Sequence, residues 1–319
     1  LLGSQAIQDI SDRIERGFQL FFRFLKSGRK VSPPSFRKRV KYKSFTLKQA
    51  GYKLLEGNQI LIGKKLFKYH KSREIEGKIK TLTVKRDALG DIYLYFSCEV
   101  SDEPINRVLS GKSVGFDFGL KSFLTLSDKD KIESPEFFKR SLKDLKNLSK
   151  AVSRKKKGSN NRRKARLELA RMHKRVFNRR KDYQFKLAKD LAERYDCLFF
   201  EDLDMNEMKK KWGRKVSDLA FSSFLIILEY YCSKTGSKFH KIDRFYPSSK
   251  VCHCCDYKLD KLSLQTREWI CPNCKFHHDR DVNAAKNIYR VGASTLGEGE
   301  VRLAREQAFT VEPRIPIHS

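Results

Sequence analysis

The sequence predicts an α/β protein: a sheet-and-helix domain with an inserted four-cysteine ribbon, preceded by a partial β-barrel module that carries a helix. Three observations lead there. Short apolar runs at 113–119 and 197–203 alternate with long helical periodicities. Two CxxC pairs, Cys252/Cys255 and Cys271/Cys274, are separated by fifteen residues, the spacing of a metal ribbon. Residues 42–100 alternate with the period of short strands. The resulting boundaries are 1–110 for the helix and β module and 111–292 for the α/β domain. The ribbon occupies 250–276, and 293–319 reads as a loose C-terminal tail.

Taken in order, residues 4–27 read as an amphipathic packing helix. Ile7, Ile10, Ile14, Phe18, Phe21, Phe22 and Leu25 recur at helical spacing, with Arg13, Arg16 and Arg23 elsewhere on the wheel. Gly28, Pro33 and Pro34 mark a connector. The runs 81–85 and 92–97 flank Ala88-Leu89-Gly90-Asp91 and predict a hairpin. The segment from Gly57 to Lys65 is not a phosphate-binding loop, because its glycines are misspaced and no Ser or Thr follows the lysine. At 113–127 two strands follow. Asp117 is expected mid-strand, with Gly115, Asp117 and Gly119 on one face and Val114, Phe116 and Phe118 on the other.

Residues 136–195 predict a helical hairpin broken at Gly158-Ser159-Asn160-Asn161. Leu167, Ala170, Phe177, Leu187 and Leu191 form the apolar stripe of its second helix. The run 197–203 reads as a buried strand with Glu201 at its C-terminal end, where open α/β sheets place their sites. A buried helix from 221 to 232 and a strand from 238 to 242 lead into the ribbon. Asp281 then opens a helix bearing Ala284, Ala285 and Ile288.

The net charge is +31, from 69 Lys and Arg against 38 Asp and Glu, which points to a polyanionic partner. No apolar run approaches the roughly eighteen residues of a membrane span, so nucleic acid is expected and a membrane is not. Fourteen of the basic residues, against two acids, lie between Arg154 and Tyr183. That much charge of one sign repels itself without phosphate to answer it, making Arg162, Arg163, Arg166, Arg179 and Arg180 candidate nucleic-acid contacts. The eight cysteines do not read as a disulfide scaffold. Cys252, Cys255, Cys271 and Cys274 instead predict a tetrahedral, closed and therefore structural zinc site. Cys254 lies inside the first pair as a competing thiol. Cys98, Cys197 and Cys232 are expected to be inert buried thiols.

Three acids remain: Asp117 on a strand, Glu201 at a strand end and Asp281 at a helix start. Carboxylates brought together repel unless a cation neutralises them, and hard oxygen ligands favour magnesium or manganese. Two such ions about 3.5–4 Å apart clamp the attacking and leaving oxygens of a phosphodiester. An acid on a strand, then one on a strand, then one on a helix is the order used by an RNase H-like fold.

The chain resembles the TnpB (OrfB) family of insertion-sequence proteins, compact RNA-guided nucleases related to type V CRISPR effectors. The resemblance rests on Gly115-Phe116-Asp117-Phe118-Gly119-Leu120-Lys121, Asn178-Arg179-Arg180-Lys181-Asp182, Glu201-Asp202-Leu203 and Tyr246-Pro247-Ser248-Ser249-Lys250. It includes both CxxC pairs and the stretch from Asp279 to Ile288, and it covers roughly residues 1–292. It implies a RuvC-like nuclease with Asp117, Glu201 and Asp281 as the catalytic, magnesium-binding triad, Asp279 being the less favoured ligand. It further implies a structural zinc on the four cysteines and a wedge-like role for residues 40–105. The partners would be a guide RNA encoded by the transposon end and target DNA, in the cytoplasm and on the nucleoid of a prokaryote. Family members usually begin with an initial strand and a longer helical region, so the chain is expected to be N-terminally shortened. The acids alone leave strand transfer by a true transposase, or a catalytically idle guide-dependent DNA-binding protein, as alternatives.

Overall fold

The computed structural model describes residues 3–35, 43–100, 107, 110–119, 121–203, 210, 213, 219–263 and 265–295. The chain divides into two units, residues 1–104 with 166–171, and residues 105–165 with 172–319.

In the first unit, α1 (Ser4–Lys26) forms where helical periodicity predicts it, but it packs through a different face. Ala6 and Asp9 are its buried residues, while Ile7, Ile14, Phe18, Phe22 and Leu25 are exposed. The cause is a polar clamp onto β1 (Ser44–Leu47). Asp9 Oδ2 accepts the Thr46 amide at 3.0 Å and pairs with Arg13 at 2.7 Å. Arg13 in turn donates to the Ser44 carbonyl and to Thr46 Oγ1, each at 3.1 Å. A buried carboxylate so paired and hydrogen-bonded holds its place against desolvation.

The remaining strands of this unit are β2 (Tyr52–Leu55), β3 (Gln59–Ile62), β4 (Lys65–Lys68), β5 (Lys78–Arg86) and β6 (Ile92–Glu99). They form two antiparallel sheets of three strands, ordered β1-β5-β6 and β2-β3-β4, and among the described residues no ladder joins the two. Leu47, Ile60 and Leu82, with Ala6 of α1, make the shared core. The expected hairpin is β5–β6.

The second unit is built on one five-stranded sheet. Its elements are β7 (Ser113–Asp117), β8 (Ser122–Leu126), β9 (Lys131–Glu133), α2 (Phe137–Ser153), α3 (Asn160–Arg194), β10 (Cys197–Glu201), α4 (Phe221–Thr235) and β11 (Lys238–Ile242). The ribbon strands β12 (Glu268–Ile270) and β13 (His277–Asp279) and the helix α5 (Arg280–Thr295) complete it. The sheet order is β11-β10-β7-β8-β9. The meander β7-β8-β9 is antiparallel, and β10 lies parallel to both β7 and β11.

Helices cover both faces of this sheet. On one, Val114, Phe116, Leu198 and Phe200 pack against Leu191 of α3 and Phe221 and Phe224 of α4. On the other, Phe199 and Ile242 pack against Ile288 and Ala293 of α5. The period-two alternation read from 113–119 is therefore the division between two cores.

Two glycines let α5 approach closely. A Cβ on Gly115 would lie 2.4 Å from the Ala285 carbonyl oxygen and 2.5 Å from the Tyr289 amide. On the helix side, a Cβ on Gly292 would lie 2.2 Å from the Phe199 ring. The space that a side chain at Gly115 would need is filled by α5.

Three expectations are corrected here. Asp117 is the last residue of β7 and not mid-strand, because its pairing with Thr125 of β8 is the last that β7 makes. Phe177 is exposed; the buried face of α3 is carried instead by Ala165, Val176, Gln184, Ala188, Leu191 and Ala192. Gln184 can be buried because its Nε2 donates to the Leu219 carbonyl at 3.0 Å. The C-terminal helix runs to Thr295, beyond the expected start of the tail at 293, and the rest of that tail lies outside the described residues. Cys197 and Cys232 are buried free thiols, and Cys98 is half-buried. Among the described residues no helix is long and apolar enough to cross a membrane.

Candidate active site and metal ribbon

The three acids arrive from three elements at one place. Phe116 of β7 pairs with Phe200 of β10 in parallel register, so the next residues, Asp117 and Glu201, end their strands side by side. Their side chains take the face opposite Phe116 and Phe200, which is the face covered by α5. Asp281 lies in the first turn of α5.

Their electrostatics record the encounter. The protein packed around the Asp117 carboxyl pushes it well above the usual carboxylate range, and the charges of Asp281 and then Glu201 add to the shift. Arg280 and Arg267 act in the opposite sense. Burial also pushes Glu201 up to about 7, against the Ser248 hydroxyl, which donates to Oε2 at 3.4 Å. Arg267 Nη1 stands 3.5 Å from Asp281 Oδ2. Like charges at such a site ask for a cation, and three carboxylates are a hard-oxygen donor set suited to magnesium or manganese. The oxygens of the three acids do not all lie within 4.8 Å of one another, so gripping an ion requires side-chain rotation.

Asp279 has a different task. Its Oδ1 accepts the amides of Asp281 at 3.0 Å and Val282 at 3.1 Å, capping α5. Its Oδ2 pairs with Lys131 at 2.6 Å; burial is the largest single influence and raises its carboxyl, but Lys131 and the two amides together outweigh it and hold the carboxyl below the ordinary range. The cap fixes the first turn and with it Asp281.

The ribbon is built from two matching turns. The amide of Cys252 donates to the Tyr257 carbonyl at 2.9 Å, and that of Cys271 to Phe276 at 2.9 Å. The residue after each second cysteine, Asp256 at φ 63° and Lys275 at φ 60°, is left-handed. The four sulfurs of Cys252, Cys255, Cys271 and Cys274 lie within 4.8 Å of one another, with Cys252–Cys274 and Cys255–Cys271 each at 3.6 Å. Zn–S bonds of about 2.3 Å give a tetrahedron edge of about 3.8 Å, so the cluster fits zinc. The backbone amide of Tyr257 leads the influences that pull the Cys255 thiol down to about 6, while the neighbouring thiols of Cys252 and Cys274 are pushed up, so the four share one strongly held negative charge before a metal binds.

Cys254 is exposed and belongs to a second grouping with Cys252 and His278. His278 was not singled out by sequence reasoning. It is 1% exposed, its Nε2 is 3.1 Å from Cys252 Sγ, and burial holds it neutral by lowering it to about 4. Its ring lies 4.3 Å from that of Trp269 in the ribbon's small core.

A buried asparagine pair ties ribbon to acids. Asn283 and Asn287, one turn apart on α5, donate through Nδ2 to the Val251 carbonyl at 2.7 and 2.6 Å. Asn287 also donates to the Ser248 carbonyl at 2.8 Å. The segment 248–251 thus holds Glu201 through the Ser248 hydroxyl and opens the first zinc turn at Cys252. Sequence reasoning missed this pair because neither periodicity nor spacing marks a buried Asn.

Of the five candidate arginines, Arg163, Arg166 and Arg179 are exposed, and Arg162 and Arg180 are half-buried. Arg162 donates to the Lys155 carbonyl at 2.9 Å, and Arg179 lies 5.6 Å over the Phe137 ring.

The chain is similar to several known proteins. Residues 95–211 match a family model described as OrfB_IS605, probable transposase, and residues 221–288 match the Cas12f1-like TNB domain. A Streptomyces pristinaespiralis protein named as an RNA-guided DNA endonuclease is 40% identical over 72% of this chain and 57% of its own length. InsQ of Escherichia coli strain K12, with a similar name, is 27% identical over 93% of this chain and 77% of its own length. This chain therefore spans 57% of the first relative. Among solved structures, a chain of the Cas12f1–sgRNA–target DNA complex superposes with a TM-score of 0.57 at 14% identity, over 88% of this chain and 70% of that one.

Proposed function

The chain belongs to the TnpB (OrfB) family of insertion-sequence proteins, and on that premise we propose that it is a metal-dependent, RNA-guided DNA endonuclease with a RuvC-like, RNase H-type catalytic domain. The strand order supports this reading: an antiparallel meander β7-β8-β9 joined through β7 to the parallel strands β10 and β11. One observation carries it. Asp117, Glu201 and Asp281, far apart in sequence, are close enough for the last two to raise the proton affinity of the first.

In this reading the three acids hold magnesium or manganese ions, which supply a clamp on the attacking water and leaving oxygen of a phosphodiester. The chain's own groups do the positioning. Ser248 orients Glu201, Asp279 caps the helix that presents Asp281, and Arg267 and Arg280 temper the acids' mutual repulsion. The zinc ribbon is structural, because four thiolates leave no open position. Arg162, Arg163, Arg166, Arg179 and Arg180 bind phosphates of a transposon-end guide RNA and of target DNA, and base pairing reads the sequence.

The test is cleavage of a DNA that pairs with the RNA co-purifying with the protein. Magnesium-dependent cutting by the wild type, lost in Asp117→Ala, is expected. A protein that joins DNA ends without hydrolysing them, or that cuts unchanged after the substitution, overturns the reading.

A further inference from the structure

Among the described residues the most exposed large apolar side chain is Phe245, at 85%. Its neighbour Tyr246 packs into the core beneath α5, so the turn sorts two adjacent aromatic rings to opposite sides. The turn is pinned. The Phe245 amide donates to Asp243 Oδ1 at 2.7 Å, the Tyr246 amide donates to the Asp243 carbonyl at 3.2 Å, and Arg244 pairs with Asp202. Lys241 also faces Asp202, at 3.9 Å. Together with Ile242, these residues line a shallow, open depression.

The turn is tied to the acids at both ends. Ile242, just before it, is the register partner of Glu201, and Ser248, just after it, donates to Glu201 Oε2. Three residues of extended chain span at most about 11 Å. The phenyl ring is therefore held within reach of whatever strand lies on the carboxylates.

We propose that Phe245 is a stacking platform for an unpaired base of the DNA strand entering the acid site. The occupant follows from the setting. Every base has a π-face that stacks on an aromatic ring whatever the sequence, the chain carries a net charge of +31, and the ring stands on the turn that directly follows the register partner of Glu201. The ring positions the strand and takes no part in the bond-breaking step. The proposal rests on the nuclease reading for its substrate.

The experiment uses the full chain and a short single-stranded deoxyoligonucleotide carrying 2-aminopurine, without divalent metal. The wild type is expected to quench the fluorescence on binding. Phe245→Ala is expected to lose the quenching and to bind about 10-fold more weakly, as befits one stacked base. Phe245→Trp keeps both properties, and Phe245→Leu behaves like the alanine variant. The position is exposed, so unchanged thermal melts are expected throughout. Quenching retained in Phe245→Ala, affinity retained in Phe245→Leu, or a change only in self-association overturns the proposal. Since no cutting is read, failure of the nuclease reading shows separately in the Asp117→Ala assay.

Discussion

Asp117 and Glu201 are the first residues past the last rung of one parallel ladder, the Phe116–Phe200 pair. Backbone pairing places them shoulder to shoulder, at the strand spacing of about 4.8 Å, before any metal is bound. Asp281 joins them because α5 is seated on Gly115. The expected outcomes below follow from that arrangement.

Asp117→Ala is expected to abolish magnesium-dependent cleavage while leaving RNA affinity within about twofold, since the side chain meets acids and not the basic surface. Filter binding and gel assays on the same preparation check both halves. A parallel collapse of RNA binding would assign Asp117 to folding.

The pH dependence of stability has a definite sign. Burial raises Glu201 to about 7 from 4.5, and Asp117 is raised too. Between the two Glu201 values the native state keeps a proton that the unfolded chain has lost, so metal-free stability falls as pH rises through that window. Thermal melts at pH 5 and pH 8 should show the loss, and Glu201→Gln should flatten it. Magnesium should restore Tm at pH 8 more than at pH 5, where protons compete for the acids.

Asn287→Ala removes one of the two donors on the buried carbonyls of Val251 and Ser248, Asn283 keeping the other. A cost of about 0.5–1.5 kcal/mol is expected, read by denaturant titration, together with a higher magnesium requirement for cleavage because Ser248 sets Glu201 less firmly. Equal stability in the variant would remove the asparagine pair from the account.

Cys271→Ser, at a buried ligand, should lose the zinc, and Cys254→Ser should retain one zinc per chain. Elemental analysis decides it. Metal lost from the Cys254 variant would point to the Cys252, Cys254 and His278 grouping instead.

Gly115→Ala forces a methyl against the backbone of α5, which cannot yield as a side-chain tip can. Overpacking of about 1–3 kcal/mol is expected, with cleavage falling further than stability because Asp281 shifts relative to Asp117. A variant with wild-type melting and cutting would show that the helix seat is loose.

Much of this was legible in the sequence where a pattern is local. The alternation around Gly115, Asp117 and Gly119 separated the two faces of β7, the CxxC pairs marked the ribbon, and Gly158–Asn161 marked the break between α2 and α3. What escaped depends on distant partners. The apolar stripe of α1 suggested its packing face, yet Asp9 and Arg13 dock it, because an amide of β1 was there to be accepted. Phe177 kept the helical period but lies outward, while Gln184 is buried by two carbonyls near Leu219. Ser248, Asn283, Asn287 and His278 act through hydrogen bonds that no periodicity encodes. The resemblance implied a ranking of Asp281 over Asp279, and the helix cap formed by Asp279 supplies a physical reason for it.

The five-stranded ladder also explains how such a protein can diversify. Register places Asp117 and Glu201, while the excursion between β9 and β10 starts and ends on the sheet and the excursion between β11 and α5 braces Glu201 through Ser248. One houses a basic helical arm and the other a metal knuckle. Evolution, or an engineer, can graft new appendages between β9 and β10 while Asp117 and Glu201 stay where the sheet puts them.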